Sequence, residues 1–509
     1  MKKIFVSVFC LTLSLVGASR SPVEILDWKP GEGTVLENGR LMIHVPEDRK
    51  NGANLSSFRL NLKRYAGEML TGKVRVTSSL KGDFSRKDAG IQIRISYRAD
   101  DDSHDRLGGG FFSEKEFRTG VLEFPLALDP HAEFCKVELG PVNCSGRVEF
   151  DLASLEFETL FRKENADWIC EYSDAVRKRP MRRGVMSPIV NQANEENFKV
   201  LRQWNVNLMR FQLNTSDEYA RTRPEFYRKF IDGKIENEIP KVLDLGAKYG
   251  IKIILDLHTV PGSARMTGDS DGIYGNPDAV NEFIRIWTRI AAKFRNHPAL
   301  YGYDLINEPK QFRKASIDYW TLQKKAAEAI RRIDPETPIY VESNMMDSPL
   351  SFYYLSPLKL KNIIYECHFY EPFDYTHFFI RKQQDLDSGK LKYREYPGWF
   401  YGTFWGSDLI QIKKKLSYVR AFEARHQAKI FVGEFSAFAC APGAEKYLED
   451  CIRVFEEYGW DWTYHAFREG TLWSVEHDGS ALDVMKPAET TKRKTVLLNA
   501  FRKNQKEFK

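Results

Sequence analysis

From about Val23 to Phe157 hydrophobic residues recur at every second position. Leu41, Ile43 and Val45 alternate with Met42 and His44, and Val74 and Val76 with Lys73 and Arg75. Ile91, Ile93, Ile95 and Tyr97 alternate with Gln92, Arg94 and Ser96, and Val148 and Phe150 with Arg147 and Glu149. Successive side chains on a strand point to opposite faces, so each stretch buries one face and wets the other. Gly, Asn and Asp turns separate the stretches and no helical period intervenes, which predicts an all-β sandwich over residues 22–160.

After a polar connector at 161–180 the period changes to strand, helix, strand, helix. Phe283, Ile284, Trp287, Ile290, Ala291 and Phe294 make one apolar stripe at helical spacing, with Pro277 near the start. Leu322, Ala326, Ala329, Ile330 and Ile333 make a second. Apolar runs predict strands at Gly184-Val185, Val206–Phe211, Ile251–Leu257, Leu300–Ile306, Ile339–Val341, Ile363–Cys367, Ile430–Val432 and Trp460–Tyr464. Eight strands alternating with helices imply a closed parallel sheet, a (β/α)8 TIM barrel, over residues 181–509.

The first residues change the picture of where the protein works. Met1-Lys2-Lys3, an apolar stretch from Ile4 to Val16 and Gly17-Ala18-Ser19 read as a secretory signal peptide over residues 1–18. The stretch falls short of the roughly 20 apolar residues of a membrane span. A secreted or periplasmic protein without membrane insertion after cleavage is expected. Removing Lys2 and Lys3 takes the formal charge from +6 to +4, too weak and dispersed for a nucleic-acid partner. Six of the seven cysteines then remain. Their number permits disulfides, Cys135–Cys144 and Cys440–Cys451 among them, but the irregular spacing argues against a disulfide framework. No CxxC pair suggests zinc.

Leu305-Ile306-Asn307-Glu308-Pro309 and Phe431-Val432-Gly433-Glu434-Phe435 are apolar runs that each deliver one glutamate to a strand's C-terminal end. In such a barrel that end is where catalysis is assembled, and two facing carboxyls are the minimum apparatus for glycoside hydrolysis. Other strand ends carry Arg210, His258, Asn307, His368 and Tyr370, with Trp473 following the last strand. Each alone has an ordinary structural explanation. Their succession around one mouth is what points to a site.

On Asn207-Leu208-Met209-Arg210, Asp256-Leu257-His258, Asn307-Glu308-Pro309, His368-Phe369-Tyr370 and Gly433-Glu434-Phe435, the chain resembles family 5 glycoside hydrolases. These are the cellulase-type retaining β-glycosidases. The resemblance spans about residues 180 to 480. It implies Glu308 as acid/base and Glu434 as nucleophile, with Asn307 on the sugar 2-hydroxyl and Arg210 and Tyr370 holding Glu434. His258, His368 and Trp473 complete the expected substrate-binding set; no metal or cofactor is needed. The substrate implied is a polysaccharide or oligosaccharide, β-glucan or β-mannan first. A non-catalytic carbohydrate-binding barrel and a transglycosylase using the same intermediate are the alternatives. Val137-Glu138-Leu139-Gly140 through Gly146-Arg147-Val148-Glu149-Phe150-Asp151 resembles the jelly-roll sandwiches beside secreted glycosidases. Such a domain serves either as a sugar-binding module or as a structural partner.

The chain also departs from the family. Relatives often place a stacking tryptophan just past the last strand. Here Trp473 is the first candidate and Phe467 the second, while His465 and Glu469 have no assigned role. Glu342 is a third strand-end carboxylate, expected to touch substrate or to support the residues that do. The long insertion 371–406 carries Trp399, Phe400, Tyr401, Phe404 and Trp405 and is expected either to line a cleft or to pack on itself. Gly108-Gly109-Gly110 and Asp269-Ser270-Asp271-Gly272 read as turns.

Overall fold

The computed structural model describes residues 24–61, 68–84, 89–99, 104–105, 119–127, 132–161, 164–187, 194–215, 220, 222–262, 272–311, 313–400, 403–406 and 408–505. The segment read as a signal peptide, Gly108-Gly109-Gly110, Asp269-Ser270-Asp271 and Tyr401 lie outside them. The chain divides into two compact units, Met1–Arg162 and Lys163–Lys509. No helix among the described residues is long and apolar enough to cross a membrane.

The first unit is all β. Its strands are β1 (Glu24–Lys29), β2 (Thr34–Glu37), β3 (Arg40–Val45), β4 (Ser56–Asn61) and β5 (Met69–Gly82). There follow β6 (Gly90–Ala99), β7 (His104–Asp105), β8 (Thr119–Ala127), β9 (Ala132–Val142) and β10 (Cys144–Phe161). They form two five-stranded sheets, ordered β1-β4-β9-β6-β7 and β2-β3-β10-β5-β8. Every pairing within them is antiparallel. Leu41, Ile43, Val74, Val76, Val148 and Phe150 from one sheet share a core with Phe58, Leu60, Ile91 and Ile93 from the other. Registers such as Val148 opposite Ile43 and Phe150 opposite Leu41 carry this alternation across neighbouring strands. Gln92 breaks the pattern, being buried where polar exposure was expected.

The second unit is the expected barrel. Its strands are β11 (Arg183–Met186), β12 (Leu208–Gln212), β13 (Lys252–Asp256), β14 (Leu300–Asp304), β15 (Ile339–Glu342) and β16 (Ile363–Phe369). The hairpin β17 (Gly398–Phe400) and β18 (Thr403–Trp405) interrupts them before β19 (Lys429–Phe435) and β20 (Asp461–Tyr464). The eight barrel strands close as β11-β12-β13-β14-β15-β16-β19-β20. The helix Pro277–Phe294 starts at Asn276, whose side chain accepts from the amides of Asp278 and Ala279. Its buried face holds Phe283, Ile286, Trp287, Ile290, Ala291 and Phe294, so Ile286 takes the place expected for half-buried Ile284. Trp287 Nε1 donates to the Leu305 carbonyl at 3.0 Å, which pins the chain two residues before Asn307.

The barrel interior is layered by the two-residue period of its strands. Leu208, Ile254, Tyr340, Ile364 and Phe431 pack as an apolar floor. Two residues further along those strands stand Arg210, Asp256, Glu342, Glu366 and Gly433, with Asp304 joining from β14. The floor therefore carries a buried charged layer. His258 and His368 come two residues further again, beyond Asp256 and Glu366 on their own strands.

All six described cysteines are free and buried, so neither sequence-suggested bridge forms. The insertion is divided: Phe400 and Trp405 are buried, while Trp399 is 69% exposed beside half-exposed Phe404. Trp399 and Phe404 meet edge-on across the hairpin at 5.7 Å.

Candidate active site

Arg210 is fully buried at the centre of the charged layer and spends every guanidinium nitrogen there. Nη1 donates to Glu434 Oε1 at 2.8 Å, and Nε to Asp304 Oδ2 at 2.7 Å. Nη2 donates to Glu342 Oε1 at 2.9 Å and to Asn307 Oδ1 at 3.1 Å. Glu366 Oε1 lies 3.0 Å from Nε, and Asp256 Oδ2 3.4 Å from Nη1. A planar, always-charged fork suits this multiple pairing in a way an ammonium does not.

Glu308 and Glu434 face each other over this layer. One side-chain atom each from Glu308, His368 and Glu434 lies within 4.8 Å of the others. His368 Nδ1 is 3.0 Å from Glu308 Oε1 and 3.8 Å from Glu434 Oε2, and its Nε2 is 3.4 Å from Glu366 Oε1. The three groups could ligate a cation, but their contacts with one another account for the grouping. The Tyr370 hydroxyl donates to Glu434 Oε2 at 2.8 Å, leaving Oε1 to Arg210. Asp256 Oδ2 lies 2.8 Å from His258 Nδ1 and so fixes the ring.

The electrostatics separate the groups. Burial pushes Glu434 up, but His368, His465, Arg210 and His258 together pull it far below the ordinary carboxylate range. Burial pulls His368 down, and Glu434, Glu342, Glu308 and Glu366 outweigh it, raising the imidazole well above its usual value. Desolvation raises Asp304, Glu342 and Asp347 well above the ordinary range. Asp304 Oδ1, Asp347 Oδ2 and Glu366 Oε2 are buried without a hydrogen-bond partner. A layer with fewer charges than carboxyls follows, since an ionised oxygen in that setting is costly.

Trp473 is half-buried in a ring cluster beside this pair. Its ring lies 5.9 Å from Tyr370, 4.9 Å from His465, 5.3 Å from His377 and 4.2 Å from Phe438. Phe467, the second-choice stacking residue, instead packs edge-on against Trp204 at 5.4 Å and is buried. His465 Nε2 pairs with Glu469 Oε2 at 3.1 Å, and Glu469 also accepts from Gln212 at 3.1 Å. Burial lowers the His465 imidazole, but Glu469 and Glu434 raise it overall. Burial and then His465 hold His377 down at about 3, so this ring is neutral.

The structure brings Arg210, His258, Asn307, Glu308, His368, Tyr370, Glu434 and Trp473 to one end of the barrel. Sequence reasoning missed Asp304, Glu366, Asp347 and His377. Ile254-x-Asp256-x-His258 and Ile364-x-Glu366-x-His368 carried a usable signal, because residues two apart on a strand share a face. Glu342 is fully buried, which makes it a support beneath the site and takes it out of a substrate's reach.

The family model for cellulase (glycosyl hydrolase family 5) matches residues 174–470, more than half of the chain. Endoglucanase C of Acetivibrio thermocellus is 26% identical over 253 residues, spanning 44% of this chain and 71% of that protein. Cellodextrinase A of Ruminococcus flavefaciens is 27% identical over 162 residues, 31% of this chain and 48% of the relative. Among solved structures, Thermotoga maritima Cel5A with cellobiose covers 65% of this chain and 100% of its own, at 18% identity and a TM-score of 0.48. With the closed barrel and the paired strand-end glutamates, the family match makes this chain a member of glycosyl hydrolase family 5, a glycoside hydrolase.

Proposed function

We propose that the protein hydrolyses the β-glycosidic bonds of an extracellular β-glucan with retention of configuration. The observation that carries this is the spacing of the two carboxyls. One carboxylate oxygen of Glu308 lies within 4.8 Å of one of Glu434, a nearest-atom approach that supports the closer of the two known arrangements. Retaining enzymes hold their carboxyls roughly 5–5.5 Å apart, whereas inverting ones need about 6.5–9.5 Å to admit a water. The endoglucanase and cellodextrinase relatives support a β-glucan.

In this reading Glu434 is the nucleophile. Arg210 and Tyr370 each hold one of its oxygens, and the surrounding cations keep it ionised. It attacks the anomeric carbon while Glu308 gives its proton to the departing sugar oxygen, so the glycosidic bond breaks as an ester bond to Glu434 forms. Glu308 then takes a proton from water, whose oxygen displaces Glu434. Asn307, oriented by Arg210 Nη2, binds the sugar 2-hydroxyl, an interaction that strengthens in the oxocarbenium-like transition state. His258 and His368 line the innermost subsite, and Trp473 offers its ring face to the sugar. The signal peptide over residues 1–18 delivers the enzyme to the substrate outside the cytoplasm.

The test is reducing-sugar release by residues 19–509 on β-glucans, β-mannans, xylans and aryl β-glycosides, with Glu434→Gln alongside. Release from a β-glucan that the variant abolishes, with a retained anomer by NMR, is the expected result. Saturable binding without turnover on every substrate would overturn it.

A further inference from the structure

Within the charged layer, Glu342 touches the backbone of one rim glutamate and the arginine that holds the other. Glu342 Oε2 accepts the backbone N–H of Glu308, and its Oε1 accepts from Arg210 Nη2 at 2.9 Å. The same guanidinium holds Glu434 through Nη1 at 2.8 Å. Glu308 has φ 48°, the left-handed region that residues with side chains seldom occupy. An N–H held from below by a fixed acceptor fixes that conformation and hence the direction of the Glu308 side chain.

Glu342 is itself rigidly placed. Gln323, on the helix Tyr319–Arg331, accepts from its amide at 3.0 Å and donates to its carbonyl at 2.9 Å. The loop after β14 has other braces too. Met346 donates to the Pro309 carbonyl at 3.1 Å, and Asn344 Oδ1 accepts the Gln311 amide at 2.7 Å. The loop therefore keeps anchors that do not use the Glu342 carboxyl, but they lie beyond Glu308 and do not aim it.

We propose that Glu342 is a positioning residue that sets the separation of Glu308 and Glu434, by clamping the amide of one and the arginine of the other. This rests on the proposed roles of those two glutamates. Both Glu342 oxygens face N–H donors, so an amide there must turn its own N–H2 against one of them. Glu342→Gln thus breaks one half of the clamp while preserving volume.

The experiment compares wild type and Glu342→Gln on the responsive β-glucan, at a temperature well below both melting points. Steady-state kinetics are read together with the amide spectrum of 15N-glutamate-labelled protein, in which the Glu308 peak is the one missing from Glu308→Gln. The expected result is a kcat lowered at least tenfold, KM within threefold and the Glu308 peak moved. A kcat within twofold of wild type, with only the melting temperature lowered, would overturn the proposal and leave Glu342 a structural brace. An unmoved Glu308 peak would overturn it as well. A moved Glu308 peak in a protein whose wild type cleaves no glycan would overturn the proposed function and leave the clamp standing.

Discussion

Tyr370 donates its hydroxyl to Glu434 Oε2 at 2.8 Å, on the oxygen that Arg210 does not hold. The two donors come from different strand ends, so Glu434 is fixed in rotation as well as in charge. Hydrogen bonds to a charged group contribute about 1.5–3 kcal/mol. Tyr370→Phe is therefore expected to lower kcat by roughly 10- to 100-fold and the melting temperature by a few degrees. Losing a donor to the carboxylate also raises the Glu434 pKa, which moves the acid limb of kcat/KM to higher pH. A kinetic pH profile of the variant checks both, and an unmoved acid limb would count against Glu434 as the group that must be ionised.

The glycine before Glu434 has a steric reason to be there. A Cβ on Gly433 would fall 1.5 Å from Glu366 Oε1, within the same layer that holds Arg210. Gly433→Ala must displace Glu366, and overpacking of this kind costs about 1–3 kcal/mol. The expected outcome is a lower denaturation midpoint and a loss of activity. Gly433→Ala combined with Glu366→Ala makes room for the methyl, so the double variant should recover more stability than the sum of the singles predicts. Urea unfolding of the four proteins in a double-mutant cycle measures the coupling. A coupling near zero would mean that the contact is not what excludes a side chain here.

Much of this architecture was legible in the chain because period and strand-end chemistry are local properties. Leu41, Ile43 and Val45 announce a half-buried strand by alternation alone, and the stripe of Phe283, Trp287, Ile290 and Phe294 announces a helix face. Asn307-Glu308 and Gly433-Glu434 could be found because each polar residue ends an apolar run. Asp304 and Glu366 were hidden inside such runs, where a buried carboxyl is unexpected until Arg210 is seen to lie between the strands. His377 and Phe438 reach the ring cluster around Trp473 from an insertion and from the loop after β19, and no local pattern brings those segments together. Phe467 was misjudged for the converse reason. It follows the last strand closely, yet its ring packs on Trp204 and away from the pair.

His368 gives the site a second pH dependence, separate from the acid limb. Burial alone would lower this imidazole, but Glu434, Glu342, Glu308 and Glu366 raise it well above the usual value of 6.5. A group whose folded pKa lies above its unfolded one adds stability in full below the unfolded value. That stability is lost as pH rises through the folded value. Melting temperature should therefore decline from near neutral pH upward, and the decline should be shallower in His368→Gln, which has no proton to lose. Glu434 behaves oppositely. Its depressed pKa adds stability above the ordinary carboxylate value, lost as pH falls through the folded one. Removing the His368 cation raises Glu434 toward its usual range, so the acid limb of kcat/KM in His368→Gln should move to higher pH. Melting curves from pH 4 to about 10, read beside kinetic profiles, check both arms. If wild type and variant lose stability in parallel above neutrality, His368 is neutral in the folded protein and Glu434 is held down by Arg210 and His465 without it.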